Sequence, residues 1–328
     1  MSDDAAPISQ LQTENLTTHA DARVTPFGAS LEPVLLEACE GRLNELHWFR
    51  TDWQRGGALT GYGRYRSEEN QTHDVVIKLP VPPVEQFWLM HLQSRQDIAP
   101  RLFAHGETLG QYDFAWVVME RLPHGPVGKK WGGVAFDLMV DAVVRFADAT
   151  HDVPLTGEPR RKDYESICKL ARDHVQKHGM GETQRWKKVL KNAQKELKPW
   201  LAFREQATED AWCHGDVHFG NAMTRVPAPD GPIVLFDFAE VHRGHWIEDA
   251  VYFEHLFWSR RKRLEGRKLV SLISKGRKEV GLPVEADWPK LAAIQRCLLA
   301  MSTPAMLQHE GNPNHLKAAL ELLEAEIG

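Results

Sequence analysis

Apolar and polar positions along the chain change their rhythm once. Up to about residue 122 the dominant signal is short runs with a strand-like period, broken by glycine and proline. Residues 31–45, LEPVLLEACEGRLNE, place Leu31, Val34, Leu35 and Ala38 at helical spacing and predict a helix. WFRTDWQRGGALTGYGRYRS follows, and it predicts two β-runs around a glycine-rich turn at Gly56, Gly57, Gly61 and Gly63. DVVIKLP (74–80) is rich in β-branched residues and closes on proline, as a strand does. VEQFWLMHLQSRQ (84–96) predicts a helix, FAWVVM (114–119) a further strand, and ERLPHGPVG a linker.

Beyond the linker the period becomes helical. Helices are predicted over 134–150, 162–178, 183–206, 247–263, 266–280, 288–303 and 313–327, with short strands at 222–224 and 232–238. The expected organisation is a polar, acidic tail (1–30), a small β-rich N-lobe (31–122) and a larger helical C-lobe (123–328). That is an α+β chain in two lobes, long enough for two cores.

Composition narrows the classes. The hydrophobic fraction is 42% and the charged fraction 26%, ordinary for a globular chain. No apolar run is long enough for a membrane span, and the N-terminus lacks the basic and apolar regions of a secretory signal. A net charge of −5 without a long basic block argues against a general nucleic-acid surface. Cys39, Cys168, Cys213 and Cys297 are isolated, which predicts unpaired thiols in a reducing cytoplasm. Oligomeric state leaves no sign in the sequence.

Chemistry concentrates in CHGDVHFGN (213–221) and LFDFAEVHRGHWIED (235–249). Asp216 precedes Asn221 by five residues, with Gly215 and Gly220 allowing a tight loop. A carboxylate and an amide on one loop can orient a hydroxyl and ligate a hard cation through oxygen. Asp237 ends an apolar run, a natural place for a magnesium ligand. Lys78 interrupts an otherwise apolar strand, which is costly unless an anion compensates it. Glu85, at the start of the next helix, or a phosphate would serve.

The order glycine-rich turn, Lys78, Glu85, linker, His-x-Asp-x4-Asn and strand-end Asp matches the parts of a protein kinase-like fold. HGDVHFGN resembles the HGDxHxxN loop of the aminoglycoside phosphotransferase and choline kinase-like family. FDFAEVHRGHWIED resembles that family's second signature, with Asp237 followed twelve residues on by Asp249. EQFWLMHL resembles its Glu-x3-Leu-x2-Leu helix through Glu85, Leu89 and Leu92, and VVMERLPHG its hinge. The resemblance spans roughly residues 45–260.

It implies ATP-dependent, Mg²⁺-dependent phosphorylation of a small-molecule hydroxyl. In that reading Asp216 accepts or orients the hydroxyl proton, and Asn221 and Asp237 bind Mg²⁺. Lys78, positioned by Glu85, contacts the phosphates. Gly57 and Gly61 belong to the phosphate-facing turn, and the backbone at 119–122, with Glu120 and Leu122, meets the adenine. His214, His218 and Asp249 support the loop. Glu254, Trp258 and Glu310 are candidates for an acidic or aromatic acceptor wall.

The chain departs from the patterns in three places. Gly215 stands where protein kinases of the HRD type carry arginine, GGALTGYGRYR does not spell GxGxxG, and His245, Trp246 and Ile247 replace the more usual Asp-Pro and small residue. Rival readings are a pseudokinase that only binds ATP and a protein kinase. The spacing of His214, His218, His242 and His245 also admits zinc, but two aspartates and an asparagine favour magnesium. A metallophosphoesterase would need motif partners that the chain lacks.

Overall fold

The computed structural model describes residues 26–49, 58–127, 132–177, 181–306 and 312–327. The chain forms two compact units, one running to Lys129 and including Ala222–Ala239, the other comprising Lys130–Asn221 and Glu240–Gly328.

The first unit is built on a five-stranded antiparallel sheet. Its strands are β1 (Leu43–Phe49), β2 (Leu59–Arg66), β3 (Thr72–Val81), β4 (Leu102–Gly106) and β5 (Ala115–Glu120), in the order β1-β2-β3-β5-β4. Along β3, Val75, Ile77, Leu79 and Val81 alternate into the core, the period-2 pattern of a strand with one buried face. Val75, Ile77 and Leu79 share a core with Leu31 and Leu35 of helix α1 (Pro26–Ala38), and with Trp116 and Val118 of β5. Helix α2 (Pro83–His91) starts on Pro82 and Pro83, whose fixed φ suits a first helical turn. It buries Glu85, which is 1% exposed.

Three expectations need correction here. The helix expected over 31–45 stops at Ala38, because Glu40 and Gly41 both turn into the left-handed region (φ 54° and 69°) and the chain enters β1. Gly61 and Gly63 lie inside β2 and not in a turn. A Cβ on Gly61 would come within 3.0 Å of the Trp48 ring and one on Gly63 within 3.0 Å of Leu43, so close strand packing is what calls for glycine at both. Gly56 and Gly57 lie outside the described residues. β4 was not foreseen, since LFAHG offers no clean alternation.

The second unit is helical. It contains α3 (Gly133–Thr150), α4 (Tyr164–Lys177), α5 (Thr183–Arg204), α6 (Ile247–His255), α7 (Leu269–Glu279), α8 (Trp288–Met306) and α9 (Pro313–Ile327). Trp186, Ala193, Leu298, Met301, Leu320 and Leu323 centre its larger core. The helix expected over 247–263 ends at His255. A 3-10 segment, Trp258–Leu264, follows with a non-helical Arg260 (φ −132°). β6 (Ala211–Cys213) pairs with β9 (His242–Gly244), two strands the sequence pattern did not show. In the first unit β7 (Ala222–Met223) pairs with β8 (Val234–Leu235).

A box of aromatic rings lies beneath the HGDVHFGN loop. Phe136 of α3 meets Phe219 edge-on at 5.3 Å and Phe257 at 4.8 Å, and Phe219 meets Phe253 at 5.5 Å. Phe136 is fully buried. Phe136→Ala should therefore lower the unfolding free energy by about 3–5 kcal/mol. Chemical denaturation measures it, and a loss near zero would show that the box does not hold the loop.

Candidate active site

Each unit carries its own cluster of site residues. In the first, the side chain of Lys78 extends from β3 to two carboxylates. Its Nζ lies 2.7 and 2.8 Å from the two oxygens of Glu85 and 3.0 Å from Oδ1 of Asp237. Burial alone would lower the Lys78 pKa, but the two carboxylates more than offset this and hold the ammonium above its usual value. Asp237 follows β8, whose Leu235 N–H donates to the carbonyl of Ile98 at 2.7 Å. It adopts a left-handed φ of 63°, which aspartate tolerates better than most residues. Its side chain is 41% exposed, so a carboxylate beside a buried ammonium still faces solvent.

Glu120 and Leu122 mark the start of the linker. Glu120 pairs with Arg225 (Nε to Oε1 2.8 Å, Nη2 to Oε2 2.5 Å) and receives the Arg101 N–H. The N–H groups of Glu120 and Arg121 donate to Arg101 and Asp74. Among the described residues the Leu122 N–H has no acceptor. The linker itself is tied down by a bridge between His124 and Thr224.

In the second unit the loop is shaped by two glycines. Gly215 has φ 82°, and a Cβ there would sit 2.2 Å from the Glu240 carbonyl oxygen. A Cβ on Gly220 would sit 2.6 Å from the His218 ring. Asp249, on α6 and 5% exposed, receives the N–H of His214 at 2.6 Å and of Gly215 at 2.9 Å. Burial pushes its pKa up to about 6, against the pull of those two N–H groups.

Asp216 is held by three donors. Tyr252 Oη lies 2.7 Å from Oδ1, and Asn221 Nδ2 and His218 Nε2 lie 3.0 and 3.2 Å from Oδ2. Gly220 N–H donates to His218 Nδ1 at 2.9 Å, which places the neutral ring's proton on Nε2, facing Asp216. Burial raises the Asp216 pKa, but the bonds from His218, Tyr252 and Asn221 outweigh it and hold the carboxyl at about 2. The group is ionised across the physiological range. Asn221 commits its amide nitrogen to Asp216, and its amide oxygen could ligate a hard cation.

Tyr252 was missed by the sequence reading. The available signal was its place three residues after Asp249, on the same face of a helix.

The proposed acceptor residues stand apart from this cluster. Glu254 is bound bidentately by Arg296 (2.6 and 2.9 Å), and Trp258 is buried, stacked on His315. Both line a depression of about 460 Å³ with Arg261, Arg296 and Glu321. Glu310 lies outside the described residues. Among the described residues His214, His218, His242 and His245, whose spacing admits zinc, do not gather into a metal-like set. Among the described residues Cys213, His242 and Glu248 do approach one another within 4.8 Å. Glu248 takes Arg204 Nη2 at 2.9 Å and the His245 N–H at 3.1 Å, the Cys213 thiol donates to the His245 carbonyl, and His242 Nδ1 lies 2.8 Å from the Glu240 carbonyl oxygen, while His242 Nε2, 3.6 Å from Glu248 Oε2, has no hydrogen-bond partner among the described residues.

Residues 64–273 match the phosphotransferase enzyme family. The chain belongs to that family, whose members are small-molecule phosphotransferases, and it has the family's two-lobed, protein kinase-like fold. No curated protein matches it. Among solved structures, an aminoglycoside phosphotransferase from Alicyclobacillus acidocaldarius is 15% identical, with 95% of this chain and 94% of that one covered and a TM-score of 0.56. A spectinomycin phosphotransferase in complex with ADP and spectinomycin is 12% identical (89% and 97% covered, TM-score 0.52). A thermostable mutant aminoglycoside phosphotransferase, in a ternary complex with AMP-PNP and hygromycin B, is 13% identical (91% and 97% covered, TM-score 0.52). No helix among the described residues is long and apolar enough to cross a membrane.

Glu248 gives a pH test of the scaffold behind the loop. Burial raises its pKa, but His242 and Arg204 outweigh it and bring it to about 2, against 4.5 in an unfolded chain. Between those values the unfolded state binds more protons, so this contribution to stability is complete above 4.5 and is lost as pH falls towards 2. Glu248→Gln removes the titration. The gap in unfolding free energy between wild type and variant should shrink as pH falls from about 5 to about 2. A constant gap in urea titrations would contradict it.

Proposed function

We propose that the protein transfers the γ-phosphoryl group of ATP, with Mg²⁺, to a hydroxyl of a small molecule. The observation that carries this reading is Asp216: an ionised carboxylate held by Tyr252, Asn221 and His218 on a loop whose backbone is pinned by Asp249. A module that only binds nucleotide has no use for so well-supported an acceptor of hydroxyl protons.

Lys78, oriented by the buried Glu85, binds phosphate oxygens. The Leu122 N–H and the backbone around Glu120 bind the adenine edge, and Gly61, inside β2, faces the phosphates. The hard oxygens of Asn221 and Asp237 suit magnesium, and Asp237 keeps Oδ2 for it while Oδ1 takes Lys78. When bound, the cation neutralises charge on the phosphates. The acceptor oxygen forms its bond to the γ-phosphorus, the bond from that phosphorus to the ADP oxygen breaks, and the hydroxyl proton passes to Asp216. A carboxyl held near 2 is a weak base, so it orients the hydroxyl first and takes the proton late, which suits a loose phosphoryl transition state.

His214 and His218 keep the loop in shape. Of the two candidates for the acceptor's outer contacts, Trp258 is buried against His315 and leaves Glu254 as the one nearer the surface. Glu254 is neutralised there by Arg296, which weakens the case for a polycationic acceptor. Aminoglycosides, macrolides, sugars and amino alcohols are the classes to test. The four cysteines are buried and unpaired, in keeping with a cytoplasmic location.

Calorimetry with Mg·ATP, followed by mass spectrometry across that panel, tests the reading. The expected product is one phosphoryl group heavier. Asp216→Asn should cut turnover by about 10²–10⁴-fold with ATP affinity nearly unchanged. Asp237→Ala should abolish the Mg²⁺ dependence of nucleotide binding. Absence of ATP binding by the wild type would overturn the proposal.

A further inference from the structure

We propose that Tyr252 is a positioning residue for the transfer step: with Oδ2 of Asp216 occupied by other donors, its phenol takes one of the two sites on Oδ1 and confines the acceptor hydroxyl to the other, beside the phenol. This rests on the reading of Asp216 as the group that receives the acceptor's proton.

A carboxylate offers about four in-plane sites, two per oxygen. Both sites of Oδ2 are taken, by Asn221 and by His218. Neither donor can be reversed. The Asn221 nitrogen also donates to the Asp216 carbonyl at 3.1 Å, so a flipped amide would set oxygen against two acceptors. The His218 proton is placed on Nε2 by Gly220. Among the described residues Oδ1 takes Tyr252 alone, and its second site is the one left for an incoming hydroxyl. A hydroxyl seated there also comes beside the phenol oxygen, which keeps lone pairs of its own.

The phenol is itself well placed. Tyr252 sits on α6 three residues after Asp249, so one helix face fixes both the loop's backbone and its reactive side chain. Its ring packs 4.9 Å from that of His255. Burial, and then the charge of Asp216, push the phenol pKa up, so it remains an O–H donor at any working pH. Packing alone would be satisfied by phenylalanine. The hydroxyl's direct bond to an ionised side chain is what packing does not explain.

The test has two parts. The protein has five tyrosines, so labelling at Cζ with ¹³C gives a spectrum simple enough to assign. The line missing in Tyr252→Phe should move in Asp216→Asn. A line that stays put shows that the contact is absent in solution and overturns the proposal, whatever the fate of the catalytic reading. The second part measures ADP formation from Mg·ATP, with water as acceptor and with each alcohol of the panel. Tyr252→Phe should lower kcat roughly 10- to 100-fold, with the KM for ATP within about twofold and an unchanged melting temperature. Combined with Asp216→Asn it should cause no further loss. Equal kcat in wild type and Tyr252→Phe overturns the positioning role. Equal ADP formation in wild type and Asp216→Asn overturns the reading of Asp216 on which it rests.

Discussion

The carboxylate of Asp249, buried and facing two backbone N–H groups, is the interaction on which the HGDVHFGN loop depends. A loop that turns through a left-handed glycine cannot satisfy its amides with a regular ladder, and unpaired amides in a buried place are expensive. One carboxylate satisfies two of them and fixes the backbone just before Asp216. Everything that makes Asp216 useful follows from that fixed point: Tyr252 reaches it from the same helix, Asn221 from the end of the loop, and His218 across a glycine too small to obstruct the ring.

The two units divide the chemistry between them. The first supplies the lysine, its carboxylate partner and a second, partly exposed carboxylate, which together suit anionic oxygens and a hard cation. The second supplies a carboxylate kept ionised by hydrogen bonds from His218, Tyr252 and Asn221, which suits a hydroxyl. The charge of Lys78 in the sheet is compensated by Glu85, buried beside it, and by Asp237, whereas Glu85 relies on Lys78. Glu85 without Lys78 would be an uncompensated buried charge.

Much of this was legible in the sequence because the loop residues are close together. Asp216, Asn221 and their glycines fall within a few positions, and spacing at that range reports geometry. The fold class was legible because the change from strand-like to helical period survives local noise. What escaped was set by long-range packing. Gly61 and Gly63 read as turn residues, yet a tryptophan and a leucine on the neighbouring strand demand them inside β2. β6 and β9 are three residues each and pair across nearly thirty positions, too short and too distant for periodicity to show. Tyr252 carries no motif, and only the helix that also carries Asp249 reveals its target.

Gly215 has one more consequence. At the position where many kinases carry an arginine that reads a regulatory phosphate, a single Cβ would collide with the Glu240 carbonyl oxygen. The loop has no room for such a sensor, and its working shape is set when the chain folds. Any side chain at this position would first have to displace the Glu240 backbone, so the turn that precedes Asp216 and the segment that follows Asp237 constrain each other's sequence.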